Sequence, residues 1–209
     1  MNKRFEFIDC LILQIYKDLN ELRYPFDTTC LTTIFKNVRF LSYTQLANQS
    51  GENIQTIIEA NYSSTGTSYY DKENDRYICM YNDTPDIPLS RQLWTKAHEF
   101  GHVVLGHHQM IGGNLSTEPI SNTLYRKLEK EANYFASQLI APYSIFAPLK
   151  INSPSSAQKK FGLSTIAALT HYKGFLEFKS QPMNPAQQEL QQVACKKLGI
   201  KMRKRRNGK

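Results

Sequence analysis

Residues 98–102 read His98-Glu99-Phe100-Gly101-His102, two histidines four positions apart with a glutamate beside the first. On an α-helix four residues make about one turn, so both imidazoles leave the same face and converge on one metal ion, for which zinc is the expected occupant. Glu99, rotated about 100° from His98, reaches a water beside the metal rather than the metal itself. Leu93, Ala97, Phe100, Gly101 and Val104 form the stripe that turns this helix toward a core.

A catalytic zinc takes a third protein ligand and keeps one position open. Two candidates compete. His108 stands ten residues after His98, the spacing of the pattern HExxHxxGxxH, whose glycine returns the chain to the metal. That position is Leu105 here and Gly106 is displaced by one, so His107 and His108 read better as helix-end, outer hydrogen-bonding or surface histidines. The other candidate is Glu129, which shares a helix face with Asn133, while Ala132 and Ala136 leave room for a second helix to come close. An asparagine one turn after a carboxylate ligand can hold a ligand histidine by its outer nitrogen. The plainer reading of Glu129 is an exposed, ion-pairing residue. Glu131 points about 200° away from Glu129, on the side of Lys127 and Gln138, and is expected in solvent.

These residues need two helices and a support. The zinc-binding helix spans about 90–105 and closes at Gly106; the second spans about 122–140 and stops at Pro142, with a loop containing Gly112, Gly113, Asn114 and Pro119 between them. Upstream, 67–70 and 76–81 are β-prone runs around the polar turn 71–75, a hairpin in which 77–82 is expected as an edge strand able to pair with an extended peptide. Ile8, Leu11, Ile12, Ile15, Leu19 and Leu22 predict an opening helix that ends before Pro25, followed by a short helix at 31–36, a strand at 38–43 and a helix-compatible stretch at 44–60. Helices near 154–161 and 164–177 and a last one capped by Asn184-Pro185 complete the chain. The expected fold is α+β, mostly helical with a small antiparallel sheet. The expected domains are 1–145, a helical segment 146–195 packed on it, and a flexible basic tail 196–209.

The chain has 209 residues, 41% hydrophobic and 21% charged, so a globular core is expected and disordered or collagen-like classes are excluded. Its net charge of +8 resides in the tail, where Lys196, Lys197, Lys201, Arg203, Lys204, Arg205, Arg206 and Lys209 have no acid among them; residues 1–195 balance. The tail is expected to contact nucleic acid weakly. Cys10, Cys30, Cys79 and Cys195 lie far apart and suit free thiols. Glu6 and Asp9 interrupt any signal peptide, and no uncharged stretch suits a bilayer, so a cytoplasmic protein without a membrane segment is expected.

The segments HEFGHVVLGH at 98–107 and EKEANYFASQLIAP at 129–142 resemble the ImmA/IrrE family of zinc metallopeptidases, whose patterns are HExGHxxLGH and ExxANxFAxxLLxP. Residues 77–82 resemble the family's strand before the zinc helix, and 157–164 its downstream helical segment, so the likeness extends over about residues 25–175. Phe100 and Ala141 depart from the patterns without touching the metal. The resemblance implies a zincin-like domain with His98, His102 and Glu129 as metal ligands, Glu99 as general base and Asn133 behind a ligand histidine. It also implies zinc, with manganese as a substitute, and a helix-turn-helix repressor as the protein substrate, cleaved to switch on a mobile element or a stress response. Two alternatives stand beside this: stoichiometric antagonism of a repressor by binding alone, and nucleic-acid binding through the tail and the paired helices at 154–177.

Overall fold

The computed structural model describes residues 3–113 and 120–201. The chain divides into two compact units, Phe26–Ile140 and a second made of Met1–Pro25 with Ala141–Lys209, so the opening helix groups with the C-terminal helices. Among the described residues no helix is long and apolar enough to cross a membrane, and all four cysteines are free thiols.

In the first unit β1 (Val38–Ser42) leads through α2 (Tyr43–Ser50) and α3 (Ile54–Ala60) to the hairpin β2 (Gly66–Asp71) and β3 (Arg76–Tyr81). The stretch expected as one helix-compatible run breaks because Gly51 takes a left-handed conformation at φ 75° and Asn53 caps a new helix by accepting from the Thr56 N–H. The hairpin forms as its pattern predicts, antiparallel, with Asp71 accepting from Arg76 Nε at 2.9 Å across the turn. β1 then pairs parallel to β3, Val38 opposite Tyr77 and Ser42 opposite Tyr81, which makes the three-stranded sheet mixed, in the order β1-β3-β2.

The expected edge position of 77–82 is therefore corrected: β3 is the central strand and β2 an edge. Tyr77, Ile78, Cys79 and Met80 are all buried because β3 has a neighbour on each side and cover on each face. Side chains alternate along a strand, so Ile78 and Met80 pack with Tyr43, Ala47 and Ile57 from α2 and α3. Cys79 and its cross-strand partner Ser68 face the other way.

That other face carries α4 (Leu89–Val104), which packs on β2 and β3 and, more extensively, on α6 (Asn122–Ile140). Phe100 anchors α4, with ring centroids 5.1 Å from Phe35 and 6.0 Å from Phe135. Gly101 sets the spacing of the two helices: a β-carbon there would lie 2.9 Å from Phe135 Cδ1 and 3.5 Å from the Ala132 α-carbon. The small residues of α6 thus meet a glycine on α4. Gly106, at φ 72° and ψ 25°, ends α4 and starts the short α5 (His107–Ile111). Asn114 and Pro119 of the connecting loop lie outside the described residues.

In the second unit α1 (Lys3–Asp18) packs on α9 (Pro185–Lys197). Buried Asp9 accepts from Asn184 Nδ2 at 2.8 Å and Gln187 Nε2 at 2.9 Å, which ties α1 to the capped start of α9. Between α7 (Pro154–Phe161) and α8 (Thr165–Lys179) the chain turns at Gly162. Phe146 stacks on Phe161 at 5.2 Å and lies 4.8 Å from Phe175. Residues 202–209, on which the expectation for the tail mainly rests, lie outside the described residues.

His171 of α8 is buried and donates from Nε2 to the Ala141 carbonyl at 2.6 Å, and burial pulls its pKa down to about 4, against the help of that bond. The unfolded chain takes up this proton near 6.5, so between 6.5 and 4 it binds more protons than the folded protein and stability falls as the pH drops. The contribution reaches about 3 kcal/mol at the acid end. Replacing His171 by Gln keeps a donor for Ala141 and removes the titration. Urea midpoints at pH 7 and 4.5 should differ less in the variant than in the wild type, with His108, which has the same sign, supplying part of what remains. Equal slopes in the two proteins exclude this role.

Candidate metal centre

The site is built on α4 and α6. The one-turn spacing of His98 and His102 puts their Nε2 atoms 3.0 Å apart, with ring centroids at 4.8 Å. Glu129 arrives from α6 with one oxygen on each: Oε2 is 3.4 Å from His98 Nε2 and Oε1 is 3.4 Å from His102 Nε2. One ligand atom from each residue lies within 4.8 Å of the others. The outer nitrogens are engaged elsewhere, His98 Nδ1 with Asn133 Oδ1 at 3.1 Å and His102 Nδ1 with His107 Nδ1 at 2.9 Å. Two imidazoles with their Nε2 atoms turned inward and one carboxylate form a donor set suited to a tetrahedral divalent ion that keeps a fourth position open.

Electrostatics agree with the donor set. Burial would raise the pKa of Glu129, but the two histidines beside it, His102 and His98, outweigh it and hold the carboxyl well below its usual range. Burial opposes the charged form of His98, yet hydrogen bonding to Glu129 and the charges of Glu99 and Glu129 raise its pKa above the ordinary value. Both oxygens of the Glu129 carboxylate face the two Nε2 atoms, an arrangement that a cation relieves.

Glu99 stays outside this group. Its Oε2 accepts from Ser68 Oγ at 2.9 Å, and Ser68 is a buried residue of β2. A cleft of about 280 Å³ opens over His98, Glu99, Glu129 and Asn133 with Trp94 and Tyr125 in its walls, beside a hollow of about 190 Å³ bordered by Ser68, His102 and Tyr62. Tyr125 sits one turn before Glu129, and burial, then the Glu129 and Glu99 charges, raise its phenol pKa.

Of the two candidates for a third ligand, Glu129 is the one brought to the histidines. His108 points elsewhere, with Nε2 at 3.2 Å from Ser68 Oγ and Nδ1 at 3.3 Å from the Gly113 carbonyl, and burial lowers its pKa to about 4. The expectation for Glu131 is overturned: it is 3% exposed and meets buried His107 Nε2 at 3.3 Å. The angular argument placed Glu131 correctly on the far side of α6 from Glu129, but it could not foresee that α5 brings His107 there. Ser68 and Tyr125 carried no motif. His107 did, as the last letter of HEFGHVVLGH, yet its partner on another helix did not.

No curated protein matches the chain. The family model described as the IrrE N-terminal-like domain matches residues 53–171, more than half of the sequence and a span that contains every residue of the site. The chain belongs to this family of metallopeptidases.

Proposed function

We propose that the protein is a zinc-dependent endopeptidase of the cytoplasm that cleaves a helix-turn-helix transcriptional repressor, and so acts as an anti-repressor of a mobile element or stress response. The observation that carries the catalytic part is the convergence of His98, His102 and Glu129 beneath an open cleft with Glu99 beside them but not among them. These three residues would hold the zinc, and manganese accepts the same nitrogen and oxygen donors. Zinc, when bound, supplies Lewis acidity toward the scissile carbonyl and the attacking water.

The remaining chemistry belongs to the chain. Ser68 donates to Glu99 Oε2 and steadies the carboxylate, whose other oxygen is left to take a proton from water and return it to the leaving amine. Tyr125, the phenol in the cleft wall, is the side-chain donor we assign to the developing oxyanion. The edge of β2 away from β3 carries no strand among the described residues, so an extended peptide that pairs there lies beside Ser68 and Glu99. A substrate that must extend in this way is cut in an exposed loop or linker, and this makes cleavage narrow.

The test mixes purified zinc-loaded protein with candidate helix-turn-helix repressors, any encoded by a neighbouring gene first. Discrete fragments that disappear with chelator are expected. If the repressor stays intact while its DNA binding is lost, antagonism is stoichiometric and the endopeptidase reading fails.

A further inference from the structure

The two zinc-site histidines are held from behind in different ways. His98 leans on the side-chain carbonyl of Asn133, whereas His102 leans on a second histidine that leans on a carboxylate: His102 Nδ1 to His107 Nδ1 at 2.9 Å, then His107 Nε2 to Glu131 Oε2 at 3.3 Å. This second support is buried throughout, with His102 at 2%, His107 at 0% and Glu131 at 3% exposure.

With Glu131 ionised and His107 neutral, hydrogen-bond chemistry gives the series one direction. An ionised carboxylate only accepts, so His107 donates from Nε2. A neutral imidazole carries one N–H, so His107 Nδ1 is bare and accepts, and His102 donates to it from Nδ1. His102 Nε2 is then the bare nitrogen, and it faces Glu129 and His98. An anion two hydrogen bonds away thus sets His102 in the tautomer that ligates through Nε2.

The backbone is shaped for this contact. In an uninterrupted helix residue 107 would sit about 140° around the axis from residue 102 and could not meet it. The left-handed Gly106 breaks α4 and swings His107 back onto His102. On α6, Glu129 and Glu131 lie about 200° apart, so one side of that helix serves the metal directly and the other serves it through His107.

We propose that Glu131 and His107 are positioning residues that hold His102 as an Nε2 ligand and raise the affinity of the site for zinc. The inference rests on the metal-site part of the function proposed above and is independent of the substrate. Outer hydrogen-bond partners of this kind contribute about 10- to 100-fold in metal affinity.

The full chain is titrated with zinc against a competing chromophoric chelator. Glu131→Gln, which keeps the shape but not the charge, and His107→Gln, which cannot pass on the bond from His102 in the same geometry, should each weaken binding about 10- to 100-fold. A measurement on the wild type needs no variant to fold: long-range proton–nitrogen NMR of the zinc-loaded protein should find the His107 proton on Nε2, with Nδ1 bare. A His107 proton on Nδ1, or zinc affinities of both folded variants within about twofold of wild type, overturns the relay while leaving the metal site in place. A wild-type chain that takes up no zinc overturns both.

Discussion

Glu99→Gln is expected to retain zinc, fold and melting temperature while peptide hydrolysis falls by about 100- to 10,000-fold, the range that general-base catalysis supplies. The amide has the outline of the carboxylate, and its oxygen still accepts from Ser68 Oγ, so the packing between α4 and β2 is undisturbed. It has no lone pair basic enough to take a proton from water. Because Glu99 stands apart from the three converging ligand atoms, metal content and activity should separate in this variant. Elemental analysis and fragment formation from the repressor, measured on one preparation, decide the matter. Hydrolysis within a few-fold of wild type would remove Glu99 from the mechanism.

The position of Glu99 apart from the two histidines is legible in the sequence, because it depends on the helical period alone. His98 and His102 share a face at four-residue spacing and Glu99 does not, and no tertiary contact is needed to know it. The same period, with the alanines at 132 and 136, anticipates a helix that approaches α4 closely, and α6 occupies Asn122–Ile140 as the pattern and Pro142 predict. What was not legible depends on elements distant in sequence. The run 77–82 reads as an edge strand in isolation, since nothing in it reveals that Val38–Ser42 crosses over through two helices to pair on its other side. Ser68 reads as an ordinary strand residue until α4 is laid across the sheet and its hydroxyl meets Glu99. Glu131 reads as solvated because a helical wheel knows the directions within α6 and nothing of α5 behind it. A period orders residues within one element, whereas a buried polar partner is supplied by another.

Glu129→Ala should cost the protein most of its zinc, a larger loss than the roughly 10- to 100-fold assigned to the partners behind His102. Glu129 spans both histidines, one oxygen to each, and its removal leaves a two-nitrogen site without the anionic donor. The two histidines beside Glu129 hold its carboxyl well below the usual range, against the effect of burial. With 28% of its side chain exposed, it can be truncated without opening a cavity in the core, so the apo protein should fold. Zinc stabilises whichever state binds it, by about 2.7 kcal/mol at a hundred times its dissociation constant, so added zinc should raise the melting temperature of the wild type and leave that of Glu129→Ala nearly unmoved. His108→Ala tests the rejected ligand in the same assay: His108 faces Ser68 and Gly113, and its loss should leave the zinc-dependent rise in melting temperature in place. A Glu129→Ala protein that keeps a full equivalent of zinc, alongside a His108→Ala protein that loses it, would exchange the two candidates and with them the geometry of the open position.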